Sequence, residues 1–311
     1  VKKPDHVFIS AATRQFWRTG RSIRGYRLFD FLHGYFYARF PYLYISVGTG
    51  QHPLSRAYLF LSRLITTIFG KKEPENQGQT GVAFANTYHG KVIPLETARQ
   101  LVSIRENITV QYPEQVIPYD RARDLILNNP DHILVIDCPC RAARPNPCQP
   151  MDVCLIIGEP FTAMVRQHHP TRSRWLTRDE AIRILEEEDQ RGHVHHAFFK
   201  DAMLGRFYAI CNCCECCCGA IRSFKNHVPM LASSGFVASV DRDACIGCGT
   251  CVDYCQFDAL SDHDGYAQVD SALCMGCGVC VSKCPSGALS LVQDPSRGLP
   301  MQIPPLYAPP I

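Results

Sequence analysis

Residues 245 to 284 carry eight cysteines at one spacing written twice. Cys245-x2-Cys248-x2-Cys251-x3-Cys255 is followed by Cys274-x2-Cys277-x2-Cys280-x3-Cys284-Pro285. No other feature restricts the fold of this chain as tightly. Neighbouring thiols this close do not pair easily in unstrained disulfides. A chain of 311 residues, 46% hydrophobic and 20% charged, also has core enough to do without the staples of small secreted domains. The opening VKKPDHVFIS lacks a charged-then-apolar leader pattern, so a reducing, cytoplasmic setting is expected. There, thiols bunched at this density read as metal ligands.

The segment from about Ala238 to Val292 closely resembles the bacterial two-cluster ferredoxins, whose cysteine spacing it repeats. The spacing has a physical reason. Three thiolates on a short, glycine-punctuated loop can cap three corners of one cubane. The fourth has already turned into the next helix and reaches the other cluster. The resemblance therefore implies two [4Fe-4S] clusters with crossed ligand sets. One takes Cys245, Cys248, Cys251 and Cys284; the other takes Cys274, Cys277, Cys280 and Cys255. Gly247, Gly249, Gly276 and Gly278 are expected to let backbone N–H groups approach the sulfurs and tune their potential. Gln256 stands after Cys255 where Pro285 follows Cys284. That departure bears on loop stiffness rather than ligation. A hairpin and short helix in each half, related by a pseudo-two-fold axis, are implied as well.

Ten of the 18 cysteines lie outside this segment. Cys138, Cys140, Cys148 and Cys154 fall in CPCRAARPNPCQPMDVC. Cys211, Cys213, Cys214, Cys216, Cys217 and Cys218 fall in CNCCECCC. Successive side chains diverge, so adjacent cysteines rarely serve one cluster. The second block is expected to divide its thiols between two sides of the backbone. Cys211 with Cys214, Cys214 with Cys217, and Cys213 with Cys216 have CxxC spacing. The two blocks are expected to meet and hold one or two additional Fe–S clusters of the [4Fe-4S] kind, with the partition open. One cluster plus a redox thiol pair, or a zinc site made from four of the ten, are the alternatives.

CPCR (138 to 141), HVHHAFFKDAMLGRFYAICNCCECCCG (193 to 219) and the ferredoxin repeats together resemble a family of 4Fe-4S ferredoxin-like proteins of anaerobic bacteria and archaea. The resemblance covers roughly residues 82 to 292 and implies anaerobic metabolism but no substrate. Cys217-Cys218-Gly219 is also similar to the CCG motif of heterodisulfide-reductase subunits, which hold a noncubane cluster.

The rest of the chain divides by composition. Residues 1 to 72 hold twelve Lys or Arg against two acids, and 15 of the 31 aromatics. This basic, aromatic-rich arm is read first as a docking element for a larger subunit. An ordinary helical core comes next, and a lipid-surface contact at the inner face of a membrane third. Ala57 to Phe69 is too short, and too interrupted by Arg63, to span a bilayer. Lys71 to Gly81 reads as a linker. VIPLETARQLV (92 to 102) and VIPYDRARDLI (116 to 126) repeat weakly, each followed by a β-branched run. Two helix-then-strand units are therefore expected. Ile133 to Asp137 reads as a buried strand leading to Cys138. Thr177 to Glu180 is a capping box opening a helix that stops at Gly192. The run Glu186 to Asp189 is read as a solvated face of it. The last 18 residues contain six prolines and are read as an extended tail, disordered or laid on a partner.

The expected fold class is thus α+β. A basic arm (1–72) precedes a mixed α/β cysteine-rich domain (82–237), a two-cluster ferredoxin domain (238–292) and a proline-rich tail (293–311). His193, His195 and His196 are read as hydrogen-bonding residues before the thiol block. Arg141 and Arg144 are candidates to neutralise a cluster beside Cys140, with plain surface exposure equally open. The overall charge of +3 gives no reason to propose nucleic acid as a partner. No GxGxxG nucleotide fingerprint follows a strand. The function expected is an electron-transfer subunit, without catalytic residues of its own, that relays low-potential electrons to or from a larger redox complex. The alternatives are a reductase acting at a special cluster or thiol pair in 138–218, and a redox sensor.

Overall fold

The computed structural model describes residues 10–55, 88–119 and 124–304. The apolar run Ala57 to Phe69, the linker and the end of the tail lie outside them. No helix among the described residues is long and apolar enough to cross a membrane.

The described residues open with three helices, α1 (Ala11–Arg21), α2 (Leu28–Arg39) and α3 (Pro41–Gly48). Then come β1 (Tyr88–Ile93), α4 (Leu95–Ser103), β2 (Ile108–Gln111), β3 (Asp124–Leu127), β4 (Ile133–Asp137), α5 (Pro139–Ala142), β5 (Asp152–Ile157), α6 (Phe161–His168), β6 (Ser173–Leu176) and α7 (Arg178–Gln190). The central part closes with β7 (Val194–Lys200), β8 (Arg206–Cys213), α8 (Gly219–Lys225) and β9 (Leu231–Ala232). The ferredoxin segment contributes β10 (Phe236–Val240), α9 (Thr250–Asp253), β11 (Leu260–His263), β12 (Tyr266–Val269), α10 (Val279–Lys283) and β13 (Leu289–Gln293).

Strands β1 to β9 form one sheet, ordered β6-β4-β5-β8-β7-β1-β9, with the β2–β3 pair joined through β3 to β8. Pairing is antiparallel except at β1–β9 and β3–β8. Strand residues alternate between the two faces. In β4, Ile133 and Val135 join a core with α4 and α7, while Leu134 and Ile136 join a second core beneath α1, α2 and α6. In β7, Ala197 and Phe199 take the first side, Val194 and Phe198 the second. The sheet is thus covered on both faces, which explains its near-continuous buried strands.

The helix α7 has the expected cap: Thr177 accepts from the Glu180 N–H, and Glu180 reaches back to the Thr177 N–H at 2.7 Å. Its acidic run is not solvated throughout. Glu188 and Asp189 are buried, because Arg141, distant in sequence, and His193 and His195, just past the helix, stand against them. The second helix-then-strand unit also fails. Asp124–Ile126, expected to end that helix, lie in strand β3, paired antiparallel with β2. Pairing with β2 and β8 overrides the helical spacing of Ala, Arg and Leu.

The tail from Leu299 to Ile303 lies on the chain's own body rather than free. Lys91 Nζ donates to the Leu299 carbonyl at 3.0 Å and Tyr112 Oη to the Gln302 carbonyl at 3.0 Å. Met301 and Ile303 are buried in the first core.

The N-terminal helices pack on the second face. Phe16 is fully buried, Tyr37 Oη meets Tyr208 Oη at 2.9 Å, and His169 Nε2 donates to the Ala38 carbonyl at 2.8 Å. The outer side of α2 stays open: Phe29 is 74% and Leu32 52% exposed.

Candidate metal centres

The sheet order explains how the thiols meet. The neighbours β4, β5 and β8 deliver Cys138, Cys154 and Cys211 to one end of the second face. Cys154 stands directly opposite Cys211 in the β5–β8 register. Alternation along β8 puts Cys213 on the same face as Cys211, with Asn212 turned away. Cys140 follows on α5, and Cys218 precedes α8. These six sulfurs form a chain of neighbours, 211–154–138–140–218–213. All six line one cavity of about 120 Å³. Its other walls are mostly apolar and include Tyr37, Tyr44, Ile45 and Gly48 of the N-terminal helices, Phe198 and Tyr208 of the sheet, and Met203 and Met230. The sequence offered no signal that α3 would roof this chamber; only its aromatic density hinted at burial.

Thiol crowding disfavours the free acid's ionisation here. The hydrogen bond that the Cys138 thiol donates to Cys140, then burial, holds it up at about 12. Cys154 is raised by Cys138 and Cys211 in the same way. Thiolates packed this closely require a positive centre between them, and a metal supplies it.

Cys214 and Cys217 also line this cavity, and they form a tighter group with the two remaining thiols. Cys148, Cys214, Cys216 and Cys217 have sulfurs within 4.8 Å of one another. Cys214 and Cys217 join this group, whereas their neighbours Cys213 and Cys218 join the chain of six. Cys216 and Cys217 do not diverge: their sulfurs lie 3.7 Å apart in one group, because a turn replaces the strand there. The CxxC pair Cys214 and Cys217 stays together. The pairs Cys211 with Cys214 and Cys213 with Cys216 are split.

Arg141 is buried, not a surface residue, at 1% exposure. Its guanidinium donates to the Pro150 carbonyl, to Glu188 Oε2 at 2.6 Å and to the Asn212 carbonyl at 3.3 Å. His193 Nδ1 lies 2.7 Å from the same carboxylate oxygen. Burial alone would raise the Glu188 carboxyl, but the His193 contact and the Arg141 charge outweigh it, and the net shift is downward. Arg141 thus stands as a compensated cation beside Cys138 and Cys214. Arg144 donates to the Cys217 carbonyl at 3.2 Å. His195 Nδ1 bonds Asn212 Oδ1 at 2.7 Å. Burial lowers His196 to about 3, which leaves it neutral.

In the ferredoxin segment, one cavity is lined by Cys245, Cys248, Cys251 and Cys284, and a second by Cys255, Cys274, Cys277 and Cys280. The structure brings together the crossed quartets that the resemblance implies. The all-thiol donor sets fit iron–sulfur clusters, and so does the backbone around them. Gly247 has φ 62° and Gly276 φ 63°. A Cβ at Gly247 would lie 2.3 Å from the Gly265 carbonyl oxygen, and one at Gly276 would lie 2.2 Å from that of Phe236. Only glycine admits both the left-handed turn and the close approach. The backbone N–H of Ala238 donates to Cys274 Sγ at 3.4 Å and that of Ala259 to Cys255 Sγ at 3.3 Å. The halves mirror each other, with β10 pairing β13 and β11 pairing β12.

The quartets differ in depth. Cys248 is exposed, while Cys274 and Cys280 are buried. Cys255 and Cys277 also pack against the second core, which contains Cys138, Cys154, Cys213 and Cys218. The inner quartet and the six-thiol chamber therefore share one apolar body.

Comparison with curated proteins finds no match for the chain. Residues 238–291 match the 4Fe-4S dicluster domain family, so this part of the chain is similar to 4Fe-4S dicluster domains and, with the cysteine-lined cavities, supports an iron–sulfur electron-transfer function.

Proposed function

We propose that the chain relays low-potential electrons to or from a larger redox complex through two [4Fe-4S] clusters and a further cluster in the six-thiol chamber. Iron–sulfur clusters supply one-electron chemistry at such sites. Cys245, Cys248, Cys251 and Cys284 would hold the outer one, and Cys255, Cys274, Cys277 and Cys280 the inner one. The order is outer quartet, inner quartet, chamber. One electron enters from a reduced donor and leaves to an oxidised acceptor, and the chain keeps neither atom nor proton.

The observation that carries this reading is the apolar body shared by Cys255 and Cys277 with the chamber thiols. Both thiol sets pack against the same buried side chains. The Ala238 and Ala259 N–H groups place partial positive charge on inner-quartet sulfurs, which raises potential. Arg141 does the same for the chamber. The exposed α2 face, with Phe29 and Leu32, is the docking surface this reading assigns to a partner subunit.

A second reading has one specific observation in its favour. Six thiols are two more than a cubane takes, and with Cys214 and Cys217 they line one cavity. A reductase using surplus thiols or an open iron at the chamber fits that count.

The test is potentiometric EPR with iron analysis on the anaerobically purified chain. The relay predicts three separable one-electron signals, none altered by thiol-directed alkylation of the native protein. Iron confined to the dicluster segment would overturn it. A chamber signal altered by alkylation, or by small disulfides, would favour the reductase.

A further inference from the structure

We infer that Cys148, Cys214, Cys216 and Cys217 form a closed tetrathiolate site for a single divalent transition metal, of the zinc kind, separate from every iron–sulfur cluster of the chain. The inference does not depend on the relay reading.

A zinc ion holds thiolates at about 2.3 Å in a tetrahedron, so its sulfurs stand about 3.8 Å from one another. All four sulfurs here lie within 4.8 Å of one another. Two of the separations are 2.9 Å for Cys148 to Cys216 and 3.7 Å for Cys216 to Cys217. A cubane interposes an iron–sulfide body and spreads its four thiolates well beyond such an edge. The chain contains its own comparison. Among the described residues no other three Cys, His or carboxylate ligand atoms draw together this tightly. That includes the two ferredoxin quartets and the six-thiol chamber. Four thiols gathered this closely suit the tetrahedral thiolate site of zinc or, in the same geometry, of a single iron.

The local chain explains the compactness. Cys214, Cys216 and Cys217 lie on one turn after β8, closed by the Cys217 N–H to the Cys214 carbonyl at 3.3 Å. Cys148 comes from the loop after α5. Arg144 of that loop donates two N–H groups to the Cys217 carbonyl, at 3.4 and 3.2 Å. Cys214 and Cys217 are buried, Cys148 is half-buried and Cys216 exposed. The site therefore lies at the rim, where it pins the CPCR loop to the thiol-rich turn. Its neighbours Cys213 and Cys218 turn inward to the chamber. A metal here fixes the chamber's geometry without joining it, the role of a structural site whose four positions are all protein.

The experiment uses the full chain, purified anaerobically, wild type and Cys216→Ser, with zinc and iron quantified per chain. The expected result is about one zinc per chain, lost in the variant, with iron and EPR signals retained. Zinc-edge X-ray absorption of the wild type should give four sulfur neighbours at about 2.3 Å, which holds the test even if the variant folds poorly. One tetrathiolate iron outside the clusters, lost in Cys216→Ser with cluster iron intact, also supports the single-metal site. Loss of a whole cluster's iron and EPR signal in Cys216→Ser overturns it. So does a wild type with no metal beyond cluster iron, including one in which Cys148 and Cys216 have paired as a disulfide.

Discussion

The Glu215 backbone N–H donates to Gln256 Oε1 at 2.7 Å. Glu215 lies in the thiol-rich turn, and Gln256 follows Cys255 of the inner quartet. The position where the first repeat departs from Pro is therefore where the ferredoxin segment is joined to the central thiol block. Lys225 reinforces the joint, 2.9 Å from Glu215 and 2.8 Å from Asp258. That exposed pair adds little; the neutral hydrogen bond is the better anchor.

Gln256→Pro restores the symmetry of the repeat and removes this acceptor. Losing one such bond costs about 1 kcal/mol. Hydrogen exchange should quicken at Glu215 and its neighbours, with iron content unchanged. Exchange that stays as slow as in the parent would show that the joint is held elsewhere.

Cys280→Ala removes one sulfur of the inner quartet. Iron should fall by about four per chain, one dicluster EPR signal should vanish or change, and the chamber signal should persist. If iron content and spectra both match the wild type, the assignment of the inner quartet is wrong.

The legibility of these sites follows from how local each is. The ferredoxin quartets are written in short-range spacing, and only the crossing of Cys255 and Cys284 needs tertiary structure. The helix α7 was visible in its own cap. The six-thiol chamber was not partitionable, because its members depend on the order β4-β5-β8 and on which way each residue points at a turn. Cys211 and Cys214 share a CxxC spacing and both line the cavity, yet only Cys214 joins the compact four-thiol group, since Cys214 begins a turn after the strand. Glu188 looks like any exposed acid until Arg141 is placed beneath it. The strand at Asp124–Leu127 likewise depends on β2 and β8, which no local window contains.

Arg141→Met tests the buried ion pair. Removing Arg141 leaves Glu188 with only the more exposed Arg191 at 3.0 Å and His193 at 2.7 Å, at a cost toward the low end of about 3–5 kcal/mol. Adding Glu188→Gln should recover part of that loss, because the stranded charge is gone. Anaerobic thermal unfolding of single and double variants checks it. A double variant no more stable than Arg141→Met would mean the pair acts through packing alone.

The α2 face makes a separate prediction. Phe29→Asp and Leu32→Asp alter residues more than half exposed, so folding and iron content should hold. If this face docks a partner subunit, co-purification of the complex should drop about tenfold or more, as expected when an aromatic anchor worth above 1 kcal/mol is lost. Undiminished co-purification would remove α2 from the interface.

Lys200 gives the clearest pH dependence. It is fully buried, and burial lowers its amine to about 7. The unfolded amine titrates near the ordinary lysine value of about 10.4. Between those values the unfolded chain holds a proton that the folded chain does not, so stability rises with pH through that window. Below about 7 both states are charged and the folded state bears the full cost of burying the ammonium. The Tyr37 and Tyr44 rings, 4.6 and 5.0 Å from Nζ, return about 2 kcal/mol of it. Lys200→Met should therefore be more stable than the parent at neutral pH, by about 2 kcal/mol after that offset. The advantage should shrink steadily as pH approaches the unfolded value and the parent buries a neutral amine instead. Thermal unfolding across that range reads the difference directly; a gap independent of pH would mean that Lys200 is not the group being neutralised on folding.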